Sequence, residues 1–177
     1  NETDSTLKDM HEYFRDRTPT EKNQYTGMFQ GKNLLLFTGE AFWIGAVNEQ
    51  YTPTLYKLAH SGFVFENFYN PLWYYSTVDG EYAATTGLIP TNQVNASQRY
   101  AGKNGVSMYF SMGNQLRALG YPTLAYHNNT ANYYDRNLSH PNLGYDFYAC
   151  DTGLDVAMTW PQSDLEMMQL TLPQALA

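Results

Sequence analysis

The unbroken apolar run Leu34-Leu35-Leu36-Phe37 limits the fold of this chain more than any other stretch of it. A strand with one face in water alternates apolar and polar residues; a run without alternation suits a strand covered on both faces, as in a parallel sheet. The reading is a central strand from Asn33 to Phe37, closed by Thr38-Gly39 and delivering Glu40 at its carboxyl end. Ligand sites of open α/β sheets lie at that end of the strands. Thr52 to His60 follows as a helix, with Pro53 near its start and Gly62 after it. Phe63 to Tyr69 is β-rich and reads as the next strand.

The same alternation continues. Ser76 to Gly87 reads as a helix capped at Ser76 or Thr77, with Asp79 and Glu81 in its first turn. A loop carrying Pro90, Gly102 and Gly105 comes next, then a helix from Met112 to Leu119 stopped by Gly120. Tyr121 to Tyr126 reads as a strand that delivers His127-Asn128-Asn129, and a Ser163/Glu166 capping box opens a last helix. Strands alternating with helices define an α/β class with a mainly parallel sheet flanked by helices. Three or four strands are legible, so the expectation is an incomplete, truncated domain.

Leu7, Met10 and Phe14 stand at helical spacing, and Thr18 to Asn23 is a polar, Pro-containing connector. Residues 1–26 therefore read as a helical arm and linker, and residues 27–177 as the domain. With 177 residues, 43% hydrophobic and 16% aromatic, the chain has enough apolar surface to bury a core, which argues against disorder. No apolar stretch approaches the roughly 20 residues that cross a bilayer. The piece reads as soluble, and it is compatible with the outer part of a membrane protein whose anchor is missing.

A net charge of −7 argues against a nucleic-acid partner, because phosphate backbones call for a basic footprint. An acidic chain that handles a phosphate must offset repulsion locally, with a metal ion or a placed arginine. Cys150 is the single cysteine, so there is neither a disulfide framework nor a cysteine-rich zinc site, and the compartment stays open. Asn-x-Ser/Thr triplets at Asn1, Asn95, Asn128 and Asn137 read as chance in an Asn- and Thr-rich chain.

On residue type alone, two readings stand for each candidate site. Glu40 is either a solvated strand-end carboxylate or a cation ligand. Thr77 is either an N-cap or a hydroxyl turned toward an anion at a helix start. His127 is either a donor to phosphate at the carboxyl edge of the sheet or a structural histidine bonded to Asn128 or Asn129. His60 and His140 read as structural or surface residues, and Asp79 and Glu81 as helix-capping charges rather than metal ligands. The Tyr/Trp cluster from Tyr69 to Tyr75 reads as packing or as a cleft lining.

The ordered words Gln24-Tyr25-Thr26-Gly27-Met28-Phe29-Gln30-Gly31-Lys32-Asn33, Thr52-Pro53-Thr54-Leu55, Asn67-Phe68-Tyr69, Ser76-Thr77-Val78-Asp79-Gly80-Glu81-Tyr82, Leu119-Gly120-Tyr121, His127-Asn128-Asn129 and Leu143-Gly144-Tyr145-Asp146 resemble the extracellular domain of lipoteichoic acid synthases. These belong to the sulfatase and alkaline-phosphatase superfamily. The resemblance runs from about Tyr13 onward. It implies a metal-dependent phosphoglycerol transferase, with Glu40 and Thr77 holding Mn²⁺ or Mg²⁺ and Thr77 as the nucleophile. A free threonine hydroxyl is too weak an acid to ionise near neutral pH, and hard oxygen ligands suit those two cations.

The resemblance further implies that Tyr133-Tyr134-Asp135-Arg136 supplies an aromatic, Tyr134 in place of the family's tryptophan, and a phosphate-gripping Arg136. His127 joins them on the substrate side. The implied donor is phosphatidylglycerol, the acceptor a growing polyglycerol-phosphate chain, and the location the extracellular face of the cell membrane. The family's further metal ligands include an Asp-His pair; that dipeptide does not occur here. The expectation is therefore an inactive fragment with half a metal site and an exposed sheet edge prone to self-association. Two alternatives remain: a phosphodiesterase or sulfatase-like hydrolase with the same site, and a non-catalytic cell-envelope binding module.

Overall fold

The computed structural model describes residues 3–39, 41–69, 76–90 and 97–176. It divides into two compact units, residues 1–35 and 36–177. The first unit carries α1 (Ser5–Arg15), whose first turn is closed by the Asp4 carboxylate accepting the Thr6 and Leu7 N–H groups at 2.9 and 3.1 Å. Its Leu7, Met10 and Phe14 stripe is exposed.

The second unit holds α2 (Pro53–Ala59), α3 (Ser76–Thr86), α4 (Ser97–Asn104), α5 (Met112–Ala118), β1 (Leu124–His127), α6 (Arg136–Asn142), β2 (Asp146–Ala149) and α7 (Asp164–Ala175). β1 and β2 pair in parallel, with Leu124 opposite Asp146 and His127 opposite Ala149. α6 lies in the crossover between them, because parallel neighbours need a long connection rather than a hairpin. The fold is α/β, a small parallel sheet with helices around it.

Two expected strands are not there. Asn33 to Phe37 has no strand pairing, and Leu34 to Phe37 are between 44% and 63% exposed. Phe63 to Tyr69 is likewise irregular and exposed. Apolar composition raises the tendency to extend, but a strand exists only where a neighbour takes its N–H and C=O groups. The third expected strand begins later than read, at Leu124, since Tyr121-Pro122-Thr123 serves as the lead-in from α5. The stretch read as a loop around Gly102 contains α4, and the Asp146–Ala149 strand was not anticipated.

The core explains why α4 forms. Gly102 lies against the α6 backbone, so that a Cβ there would meet Leu138 C and O and Ser139 N at 2.8 Å. Only a residue with no side chain allows that approach. Ala101 and Gln98 of α4 are buried, as are Val78 and Tyr82 of α3 and Ser139 of α6. Just past the end of α6, Gly144 takes φ +93° and passes so close to α5 that a Cβ would sit 2.5 Å from Asn114 Oδ1. The Ser111 hydroxyl donates to the Leu143 carbonyl at 2.8 Å, and Asn114 Nδ2 donates to Asn142 O at 3.0 Å. These bonds fasten α5 to the turn that feeds β2. α7 starts as read, with Ser163 Oγ accepting the Glu166 N–H at 3.2 Å.

Candidate active site at the carboxyl end of β1

Thr77 occupies the first turn of α3 and is half-buried; Val78 and Asp79 beside it are buried. Four residues on, Glu81 stands on the same face of the helix, where side chains one turn apart have Cβ atoms roughly 5–6 Å apart. Its carboxylate is 16% exposed and engages two other helices. Glu81 Oε1 accepts from Arg136 Nε at 2.9 Å and also from Arg136 Nη2, while Oε2 accepts from Gln98 Nε2 at 3.1 Å. Glu81 was read as a capping charge. Its place is a buried ion pair that joins α3, α4 and the start of α6.

Arg136 is 4% exposed, which a guanidinium tolerates only when paired. Beyond Glu81, its Nη1 donates to His127 Nε2 at 3.1 Å and to the Tyr133 carbonyl at 3.3 Å. The Tyr134 and Tyr133 rings lie 5.3 and 5.8 Å from its central carbon. The chain enters Arg136 through an unusual turn. Tyr134 and Asp135 both have positive φ, 58° and 57°, a conformation that costs a non-glycine residue free energy. Asp135 is tied to Lys103 of α4 at 3.0 Å and to Arg99, and these partners hold its carboxyl below its usual range. Two cations of α4 thus keep this turn wound.

His127 ends β1 at the carboxyl edge of the sheet. An arginine always donates, so His127 Nε2 is the acceptor and the ring proton is assigned to Nδ1. Burial, and after it the positive charge of Arg136, lowers its pKa to about 4. The ring is neutral near pH 7. Nδ1 is buried without a well-formed hydrogen bond among the described residues, with the Thr130 backbone on that side. The partner of His127 is therefore Arg136, and the alternative of a bond to Asn128 or Asn129 is set aside. His140 packs between the Phe147 and Tyr145 rings, and burial lowers its pKa to about 4 also, in keeping with a structural role. His60 closes α2, with Nδ1 2.7 Å from the Tyr56 carbonyl.

Of the site residues read from the sequence, the structure brings together His127, Tyr134 and Arg136, and places Thr77 one turn from their Glu81 partner. Glu40 lies outside the described residues, as do Asn1 and Asn95 and the cluster from position 70 to 75. Among the described residues no group of three or more His, Cys, Asp or Glu could hold a metal ion. The described residues alone do not build a cation site. Sequence reasoning missed Glu81, Gln98 and Asp135 as partners. The i, i+4 spacing of Thr77 and Glu81 was a usable signal; Gln98 had none, since its helix was not recognised.

This geometry sets a paired arginine and a neutral histidine at the carboxyl end of a parallel strand, with Thr77 one helical turn from the arginine's carboxylate partner, an arrangement suited to handling an anionic ester. The match to the Sulfatase family model covers residues 32–173, and the chain belongs to that family. It is also similar to lipoteichoic acid synthase 2 of Bacillus subtilis (strain 168), 26% identical over 153 residues. That alignment takes in 80% of this chain and 22% of the relative, so the chain spans about a fifth of the relative's length. No solved structure matches. Among the described residues no helix is long and apolar enough to cross a membrane.

Proposed function

We propose that this chain is part of a phosphoglycerol transferase of the lipoteichoic acid synthase type, acting through Thr77. One observation carries the reading: the helix that has Thr77 in its first turn also carries the carboxylate that holds Arg136. A candidate nucleophile and the carboxylate that holds a candidate phosphate-binding guanidinium thereby stand one turn of α3 apart.

In the first step the Thr77 Oγ bonds to phosphorus of phosphatidylglycerol. The phosphorus–oxygen bond to diacylglycerol breaks, and the departing oxygen takes up a proton. Glycerophosphate is left as an ester of Thr77. In the second step the terminal hydroxyl of a polyglycerol-phosphate chain attacks the same phosphorus, and Thr77 recovers its proton. Arg136 offsets phosphate charge, a task for which a planar guanidinium suits better than lysine. The Tyr133 and Tyr134 rings flank that guanidinium, and neutral His127 orients it from the strand side. A divalent cation, Mn²⁺ or Mg²⁺, with Glu40 and Thr77 among its ligands, would favour the ionised hydroxyl.

The test is to incubate the full-length gene product with phosphatidylglycerol labelled in the glycerol head group. Label in a growing polymer, together with a glycerophosphate adduct on the peptide that contains Thr77, is the expected result. Release of free labelled glycerophosphate without polymer would assign a phosphodiesterase instead. Undiminished turnover by Thr77→Ala would remove the enzyme reading altogether.

A further inference from the structure

We infer that Glu81 is the positioning residue of the site: it fixes the Arg136 guanidinium by its Nε/Nη2 edge and so aims the remaining Nη2 N–H, beside the Nη1 that donates to His127, at a phosphate monoester or diester. The inference rests on the transferase reading of Arg136 and names the group that aims it.

The geometry separates the two edges of the guanidinium. Nε and Nη2 both donate to Glu81 Oε1, whereas Nη1 points to His127 Nε2 and the Tyr133 carbonyl. Glu81 is itself held from behind, because its second oxygen takes the Gln98 amide N–H at 3.1 Å. Gln98 is 1% exposed and cannot swing away into solvent. The order of support is therefore α4 to α3 to Arg136. An arginine without such a partner would have several rotamers to choose from and would lose that freedom on binding. With Glu81 in place the cost is met on folding. Glu81 also stands one turn from Thr77, so a shift of α3 would move the hydroxyl and the guanidinium together.

Gln98 supplies the means of testing charge apart from geometry. Its Oε1 is buried and has no hydrogen-bond partner among the described residues. In Glu81→Gln the new amide keeps Oε1 on Arg136, and a flip of the Gln98 amide lets its carbonyl accept from the new Nε2. That variant removes a charge and retains the hold. Glu81→Asp draws the carboxylate back by one methylene, and Glu81→Ala removes the hold.

The experiment titrates glycerol 1-phosphate onto the 177-residue chain, read by calorimetry and by the Arg136 Nε–H signal in a nitrogen–proton NMR spectrum. In the unaltered chain the Arg136 signal is protected from exchange and shifts as glycerol phosphate is added. Glu81→Gln keeps the protected signal and binds within ~3-fold of the unaltered chain, whereas Glu81→Ala loses the signal and binds ~10-fold or more weakly, the scale of one charge-assisted hydrogen bond. Should Glu81→Ala not fold, the pair Glu81→Gln and Glu81→Asp decides: the inference requires Asp to be the weaker binder, and equal binding overturns it. Undiminished or tighter binding by Glu81→Ala overturns the inference alone and makes Glu81 a competitor for Arg136. Failure of glycerol phosphate to move the Arg136 signal in the unaltered chain overturns the transferase reading and this inference with it.

Discussion

Residues 41–69 and residues 97–156 have similar appetites for burial and opposite fates. The first stretch includes Phe42, Trp43, Ile44, Phe63, Val64, Phe65 and Phe68, all exposed, and none of its residues is buried. The second buries Gln98, Ser111, Thr123, Arg136 and Ser139 along with Leu143 and Ala149. Burial here follows connectivity, not hydrophobicity. The second stretch contains a strand–helix–strand unit whose glycines let backbones touch, and the side chains of Gln98, Ser111, Thr123 and Arg136 that it buries each make at least one hydrogen bond. The first stretch has the apolar residues without a second layer to meet them, and exposed apolar surface on that scale marks a face that another surface can cover.

Substitutions can break that comparison, and the largest effect belongs to the ion pair. Arg136→Met leaves Glu81 largely buried and uncompensated, and urea unfolding is expected to register a loss of ~3 kcal/mol or more. A loss near zero would mean that the guanidinium is solvated after all. Gly102→Ala comes next. A methyl group 2.8 Å from the Leu138 carbonyl must push α4 from α6, at a cost of ~1–3 kcal/mol in the same measurement. Larger side chains at this position should prevent folding.

The buried histidines set a pH dependence of similar or smaller size. His127 and His140 have folded values of about 4, below the ordinary 6.5. Between those values the unfolded chain binds more protons than the folded one. Stability is therefore complete above pH ~6.5 and falls as pH drops toward ~4, by about 1–3 kcal/mol per histidine before solvent screening is allowed for. Melting temperatures across that window should decline in the unaltered chain and decline less in His140→Gln. A flat profile would place both rings in water.

The smallest effect sharpens the comparison from the other side. Phe37→Ser, in the run that looks most like a central strand, should change the unfolding free energy of this chain by ~0.5 kcal/mol or less, as surface substitutions do. Its consequence should appear in sedimentation instead, as reduced self-association. A loss above 1 kcal/mol would show that the run is covered.

Much of the helical framework was legible in local chemistry. Pro53 and Ser163 mark helix starts, and Gly120 a helix stop, because capping depends on neighbours within one turn. α4 was not legible, since Ser97 to Asn104 has no apolar stripe and its helix is stabilised by the approach that Gly102 allows to α6. Within the site, the Thr77–Glu81 spacing could be read from the chain, but Glu81's engagement with Arg136, 55 residues away, could not.

By itself the sequence determined the α/β class, most helix boundaries and the residue types at the carboxyl end of β1, because these depend on short-range patterns. Only the tertiary structure decided which apolar runs became strands and which charges became partners. Pairing is a property of two segments: a strand needs another strand's hydrogen bonds, and a buried guanidinium needs another helix's carboxylate.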